Sequence, residues 1–329
     1  MRAAWYCKNG EARDVLIVGE LPDPVAGPGE VRIRMATSGV NPSDVKSRRA
    51  RPLSDEKIVP HSDGAGVIDQ IGTGVPASRI GERVWTWNAQ WQRPMGTASE
   101  FVVLPSAQAA HLPDAIDFAA GACLGIPALT AIQAVRLSGD VAGKKVLVIA
   151  ASSAVGHYVS QLLSLAGAHV IGTIGSAEKA KHAQAAGVRD VIFYKTEPVA
   201  ERLKTLTDGK GVDIIIDMDF SSTSALLTAG GLAPHGRVVC YGSNVATDLP
   251  INFRTMLSNS LELKFFLVYD LQAADRAAAL KQLGDLLQLN RLQHAISRSF
   301  ALADIAQAHE AVEAGQDIGN IVLTLREGS

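Results

Sequence analysis

The rhythm of apolar and polar positions changes near residue 123. Before it, short alternating runs punctuated by Gly and Pro predict strands over Met1–Lys8, Val31–Ser38, Gly64–Ile71, Arg83–Trp87 and Glu100–Pro105. Pro22, Pro24 and Pro28, with Gly27 and Gly29, mark a loop before the second of these. After it, apolar runs near 146–150, 169–174, 190–194, 213–217, 237–242 and 261–268 alternate with helical spacing near 128–138, 155–166, 177–186, 198–207 and 221–230. That alternation predicts an α/β fold with a doubly wound parallel sheet. The tail adds a helix near 272–289, a strand at Ile296–Ala301, a helix at Leu302–Ala314 and a strand at Asn320–Leu325. The expected organisation is a β-rich domain over 1–122, a nucleotide-binding domain over 123–268, and a return of 269–329 to the first domain.

The densest signal runs from Lys144 to Lys179. Val146–Ala150 reads as a strand buried on both faces, and Ala151–Ala154 as a turn of very small residues. Val155, Val159, Leu162, Leu163 and Leu165 then keep helical spacing, and His169–Ile174 is a second strand. Strand, tight turn, helix and strand make a dinucleotide-binding unit, in which backbone N–H groups at the helix start meet a pyrophosphate. Ser152, Ser153, Ala154 and Val155 are the residues placed for that contact. Of the glycine fingerprint only Gly156 remains, with Ala151 and Ser153 at the other two positions. The second strand ends Gly172-Thr173-Ile174-Gly175-Ser176 with no acid to bind a ribose 2′-hydroxyl, and Lys179 comes next among the charged residues after Glu178. A hydroxyl and a cation there suit a 2′-phosphate, so NADPH is favoured over NADH.

A length of 329 residues suggests two domains, and a net charge of −2 gives no electrostatic case for nucleic acid or anionic membrane. No apolar run approaches the roughly 20 residues that span a bilayer, and no export signal is visible. Cys7, Cys123 and Cys240 lie far apart, which fits a reducing cytoplasm better than a disulfide framework or a structural zinc site.

Several short patterns occur in order: Gly39-Val40-Asn41-Pro42-Ser43-Asp44, His61-Ser62-Asp63-Gly64-Ala65-Gly66-Val67, Gly96-Thr97-Ala98-Ser99-Glu100-Phe101-Val102, Leu112-Pro113-Asp114 and Gly125-Ile126-Pro127-Ala128-Leu129-Thr130-Ala131. From Met1 to Leu325 the chain resembles the medium-chain dehydrogenase/reductase superfamily, in its zinc-free quinone oxidoreductase (zeta-crystallin-like) branch. The resemblance implies a GroES-like catalytic domain beside a Rossmann domain. The branch's loop resembles A-x-x-G-x-x-G; Ala150 and Gly156 match it, and Ser153 replaces the middle glycine. Ser153 either hydrogen-bonds a phosphate or holds it further away. Zinc-dependent relatives resemble a scheme with Cys, then Gly-His-Glu; here Asn41 stands for the thiolate and Ser62 for the imidazole, so no metal is expected.

Without a Lewis acid, hydride can still reach an acceptor that is already electrophilic, such as a quinone or an enone. The resemblance implies that Asn41 lies beside the nicotinamide, where its amide donates to an acceptor carbonyl or to the cofactor ribose. Asp44 orients the loop or pairs with Arg48, and Lys46 either favours an anionic product or points to solvent. Thr130, Gly175, Ser176, Tyr194, Tyr241, Gly242, Ser243, Phe266, Val268 and Asn320 complete the implied cofactor contacts. Trp91, with Gln92 and Arg93, suggests a wall of the substrate mouth, and Arg48–Lys57 a flap over it. The leading expectation is an NADPH-dependent quinone oxidoreductase. The alternatives are a 2-alkenal/enone double-bond reductase and a non-catalytic NADPH-binding protein. The apolar edge at Leu261–Val268 implies a homodimer.

Overall fold

The computed structural model describes residues 1–245 and 247–325. Up to Pro127 the chain forms strands β1 (Arg2–Trp5), β2 (Ile17–Glu20), β3 (Glu30–Val40), β4 (Asp63–Ile71), β5 (Arg83–Thr86), β6 (Phe101–Pro105) and β7 (Ala109–His111). Its helices there are α1 (Ala12–Val15), α2 (Pro42–Ala50) and α3 (Phe118–Gly121). From Ala128 the elements are α4 (Leu129–Ser138), β8 (Lys145–Val148), α5 (Ala154–Leu165), β9 (His169–Ile174), α6 (Ala177–Ala185), β10 (Asp190–Phe193), α7 (Val199–Leu206), β11 (Val212–Asp217), α8 (Phe220–Thr228), β12 (Leu232–Cys240), α9 (Phe253–Ser258), β13 (Glu262–Phe265) and α10 (Ala273–Gln288). The chain closes with β14 (Ile296–Ala301), α11 (Ile305–Ala314) and β15 (Asn320–Thr324). Two compact units result, Met1–Pro127 with the chain from Gly284 onward, and Ala128–Leu283.

In the second unit the sheet is parallel throughout, in the order β10-β9-β8-β11-β12-β13. Counted from its first strand this is 3-2-1-4-5-6, the doubly wound order whose crevice lies where the direction of winding reverses, between β8 and β11. Val146, Leu147 and Val148 are fully buried because helices cover both faces of β8, which is why that strand is continuously apolar.

In the first unit the sheet runs β14-β15-β3-β4-β5-β7, with β6 also on β3. β15 pairs antiparallel with β3, Ile321 opposite Val40 and Thr324 opposite Thr37, so the tail belongs to this sheet. The core gathers Val31, Ile33 and Met35 from β3, Ile68, Val84, Val102 and Leu104 from its neighbours, and Ile305, Ala308 and Leu323 from the tail.

Several features differ from the sequence expectation. The units divide after Pro127 and Leu283 rather than after 122 and 268, so residues 269–283 stay with the second unit. β2, β7, α1, α2, α3 and α9 are not among the expected elements, most being short or weakly patterned. β12 begins at Leu232 rather than 237. The flap over Arg48–Lys57 is corrected at its start, because Arg48 lies inside α2 with no exposed surface. Its guanidinium donates to Gly10 O and pairs with Glu313 on α11, so the alternative pairing of Asp44 with Arg48 is also corrected. Asp44 instead accepts the Asn41 N–H at 2.8 Å, in the first turn of a helix opened by Pro42 and stopped before Pro52.

A buried guanidinium stripped of its carboxylate is costly. Glu313→Gln is therefore expected to lower unfolding free energy by about 3 kcal/mol, read as a fall in urea midpoint, with Arg49, which also contacts Glu313, unable to compensate.

Candidate functional site

Where β8 ends, Ala150 turns into the left-handed region (φ 55°) and its N–H donates to Thr173 Oγ1 at 2.9 Å. Ser153 caps α5, its hydroxyl accepting the Gly156 N–H at 3.0 Å. The Ser153 oxygen thus serves the helix, and its own O–H is left to donate to a phosphate. The first four N–H groups of a helix have no partner within it. Gly156 and His157 find theirs on Ser153, which leaves Ala154 and Val155 open to an anion. Gly156 is required at its place, since a Cβ there would lie 2.3 Å from Ala150 O. Ser152 lies buried in the same turn.

Beyond the turn, a cavity of about 460 Å³ is lined by Ala150, Thr173, Tyr194, Val199, Met218, Asp219 and Asn244. Ser176 caps α6 by accepting the Lys179 N–H. Gly175 keeps the rim open, since a Cβ there would stand 3.1 Å from the Tyr194 hydroxyl and 3.4 Å from Lys195 Cε. Lys195 was missed in the sequence. It brings a second ammonium stem beside Gly175, and its only signal was its place after Tyr194 at the end of the third strand.

The Asp217–Phe220 turn is closed by side-chain hydrogen bonds. Burial pushes Asp217 up to about 6, against the Thr223 hydroxyl and Asp219 N–H that it accepts. Burial would raise Asp219 too, yet the Ser221 hydroxyl and the backbone and amide N–H groups of Asn244 hold it below the usual range. Tyr241, Gly242 and Ser243 line a second cavity with Phe265, Phe266 and Leu267. There the Phe266 N–H donates to Cys240 O, and the Val268 carbonyl accepts from Arg276. Thr130 is buried in the first turn of α4.

Of the implied residues, Asn41, Asp44, Lys46 and Asn320 belong to the first unit. Asn320 donates its backbone N–H and one amide N–H to Ala295 O, at 2.8 and 2.9 Å. Lys46 is exposed and makes no ion pair among the described residues. Asn41 caps α2 and is buried, its Nδ2 donating to Asp63 Oδ2 at 2.8 Å. Ile126 N–H reaches the same oxygen at 2.9 Å. Burial, with the Asp44 charge added, pushes Asp63 well above the carboxylate range. Burial likewise pushes Asp44 up to about 7. The importance of Asp63 was not evident from the motif that contains it; an acid among small residues with no basic neighbour was the available signal.

Asp63 is anchored from behind by a directional chain. Thr97 Oγ1 donates to Asp63 O at 2.6 Å, using its one proton, so Ser38 Oγ must donate to Thr97 at 2.7 Å. Ser38 then accepts from His61 Nδ1–H at 2.8 Å, which leaves His61 Nε2 as the acceptor facing His309 Nε2–H at 2.9 Å. His309 Nδ1 ends the chain as a bare buried acceptor among the described residues. Both rings are wholly buried, and His61 holds φ 77° to place its own. A left-handed residue other than glycine costs free energy that this ring network offsets.

Residues 27–114 match the family model described as the alcohol dehydrogenase GroES-like domain, and residues 186–323 the one described as zinc-binding dehydrogenase. A quinone oxidoreductase of Pseudomonas aeruginosa is 31% identical over 303 residues, covering 90% of this chain and 91% of the relative. A 2-haloacrylate reductase of Burkholderia sp. is 29% identical over 338 residues, covering 98% of each. The crystal structure of an Escherichia coli quinone oxidoreductase complexed with NADPH superposes with TM-score 0.89 at 25% identity, covering 99% of this chain and 100% of that one.

The imidazole pair carries a pH signature. Burial lowers His61 to about 3, and burial with the His61 and Arg48 charges lowers His309 well below its ordinary value. The unfolded chain takes up these protons near pH 6.5 while the folded one refuses them. The pair's contribution to stability is therefore complete above pH 6.5 and is lost as pH drops toward 3, while the buried Asp44, Asp63 and Asp217, with raised pKa values, contribute in the opposite direction. The urea midpoint at pH 4 relative to pH 7 should therefore be higher in His309→Gln, whose amide still donates to His61, than in the wild type.

Proposed function

The chain belongs to the medium-chain dehydrogenase/reductase superfamily, in its zinc-free quinone oxidoreductase family, and from that membership we propose that it reduces quinones with NADPH. The observation that carries the reading is the parallel sheet whose first turn leaves the Ala154 and Val155 N–H groups open beside a cavity at the strand ends. NADPH fits these residues: Ala154 and Val155 take the pyrophosphate, Tyr194 and the cavity the adenosine, and Lys179 and Lys195 the 2′-phosphate. Bound there, the cofactor supplies a hydride. The chain's own part is to hold the ring side of the site dry and to offer donors to the acceptor oxygen.

On the first unit, Asn41 has one amide N–H fixed by Asp63, which leaves the other to donate to an acceptor carbonyl. Where zinc-dependent relatives carry thiolate and imidazole, the donors are Asn41 and Ser62, an amide and a hydroxyl that are poor zinc ligands. No cluster of three His, Cys, Asp or Glu suited to a metal occurs among the described residues. The similarity to a 2-haloacrylate reductase supports a second reading, reduction of an activated carbon–carbon double bond by the same apparatus. Stopped-flow NADPH oxidation against benzoquinone and a simple enone, with metal content measured alongside, separates the two. Oxidation by neither removes both.

The cofactor reading makes Lys179→Ala selective. NADPH should bind about tenfold more weakly and NADH almost unchanged, the value expected for one charge-assisted contact to phosphate. Equal losses in a fluorescence titration would remove the argument.

A second copy of the chain is the proposed partner. β13 is the end strand of its sheet, and Phe253, Leu257, Phe265 and Leu267 are 72%, 67%, 60% and 49% exposed around it. Sedimentation of the wild type should give a dimer, and Leu257→Glu a monomer. The three cysteines are free, with Cys7 exposed, which supports a reducing compartment.

A further inference from the structure

The first unit contains a cavity of about 260 Å³, lined in part by Tyr6, Ser47, Arg51, Leu53, Ile58 and Trp91. Its walls are apolar and aromatic, and three of its polar groups are uncommitted. Tyr6 and Ser47 are 4% and 7% exposed, yet neither side-chain hydroxyl has a hydrogen-bond partner among the described residues. Neither oxygen is sealed in the protein, so both face the cavity with a donor to offer whatever fills it.

The third polar group is a cation. α2 and its C-terminal edge carry Arg48, Arg49 and Arg51. Glu313 and Glu11 neutralise the first two. Arg51 has no carboxylate within ion-pair distance among the described residues, and its guanidinium lies over the Trp91 ring, 5.2 Å from the centroid. Asp44 attracts it from a distance, but that carboxyl is already held by the Asn41 N–H. A flat indole wall, two free hydroxyls and an unpaired guanidinium together recognise a flat aromatic molecule with an anionic oxygen group.

We propose that this cavity binds the acceptor, and that the acceptor is a planar aromatic quinone bearing a carboxylate or sulfonate, with Arg51 as the residue that selects for the charge. Trp91 stacks on the ring, Arg51 pairs with the anion, and the Tyr6 and Ser47 hydroxyls donate to its oxygens. This assignment rests on the quinone reductase reading and adds the substrate class to it. It also gives a use to Trp91, while Arg93, turned to Asn88 O and Gln108, takes no part.

The test compares NADPH oxidation with 1,2-naphthoquinone and with its 4-sulfonate, which share a ring system and differ in charge. Wild type should show the lower KM for the sulfonate, and the gap should close as salt is raised. Arg51→Gln should raise KM for the sulfonate about tenfold more than for the neutral quinone. Arg51→Lys should recover part of that difference, and Trp91→Ala should raise both values. Equal effects of Arg51→Gln on the two quinones, or a wild type that favours the neutral one, overturn the proposal and leave the reductase reading standing. If neither is turned over while benzoquinone is, the proposal is overturned and the reductase reading stands; if benzoquinone and the enone also fail, that reading falls, and quenching of tryptophan fluorescence by naphthalene-1-sulfonate tests the cavity directly. Quenching that is absent in wild type, or unaltered in Arg51→Gln, overturns the cavity assignment as well.

Discussion

A carboxyl group with no water around it governs the first unit. Asp63 is fully buried, holds the Asn41 amide and the Ile126 N–H on one oxygen, and leaves the other with no partner among the described residues. An isolated charge in that position is expensive, and burial pushes the group's pKa well above the carboxylate range. The consequences are geometric. The Asn41 side chain is fixed in rotation, the start of α2 is fixed by Asp44, and the segment before α4 is fixed through Ile126. Behind Asp63, the Thr97–Ser38–His61–His309 chain ties the same residue to a helix almost 250 positions later.

The second unit depends on a different constraint, the closeness of backbone to backbone at the β8 turn. Ser153 caps α5 through its hydroxyl oxygen, and Gly156 allows the helix to begin against Ala150 O. Among the described residues no basic side chain is in contact with Asp217 or Asp219; hydrogen bonds from Thr223, Ser221 and Asn244 take that part.

Much of this was legible before any coordinates. The buried strand at Val146–Val148, the helical spacing from Val155 to Leu165 and the alternation through to β13 are local periodicities, and local periodicity is written in consecutive residues. The return of the tail to the first sheet also agreed with its pattern. What stayed hidden were pairings of polar groups far apart in sequence. Nothing near Arg48 names Glu313, nothing near His61 names His309, and nothing near Asn320 says that Ala295 O will accept from it twice. Lys195 and Asp63 were invisible for a related reason, since the role of each is set by a neighbouring strand.

The pairing of β15 with β3 has a consequence for biosynthesis. The ribosome delivers β3 nearly 300 residues before the strand that completes its edge. Residues 128–283, whose sheet is built from their own strands alone, can collapse while still tethered. The amino-terminal lobe must wait, its longest strand bare along part of one side, until β15 leaves the exit tunnel. During that interval the nascent chain presents an adhesive edge to its surroundings, so synthesis speed and chaperone cover matter more for this lobe than for the other.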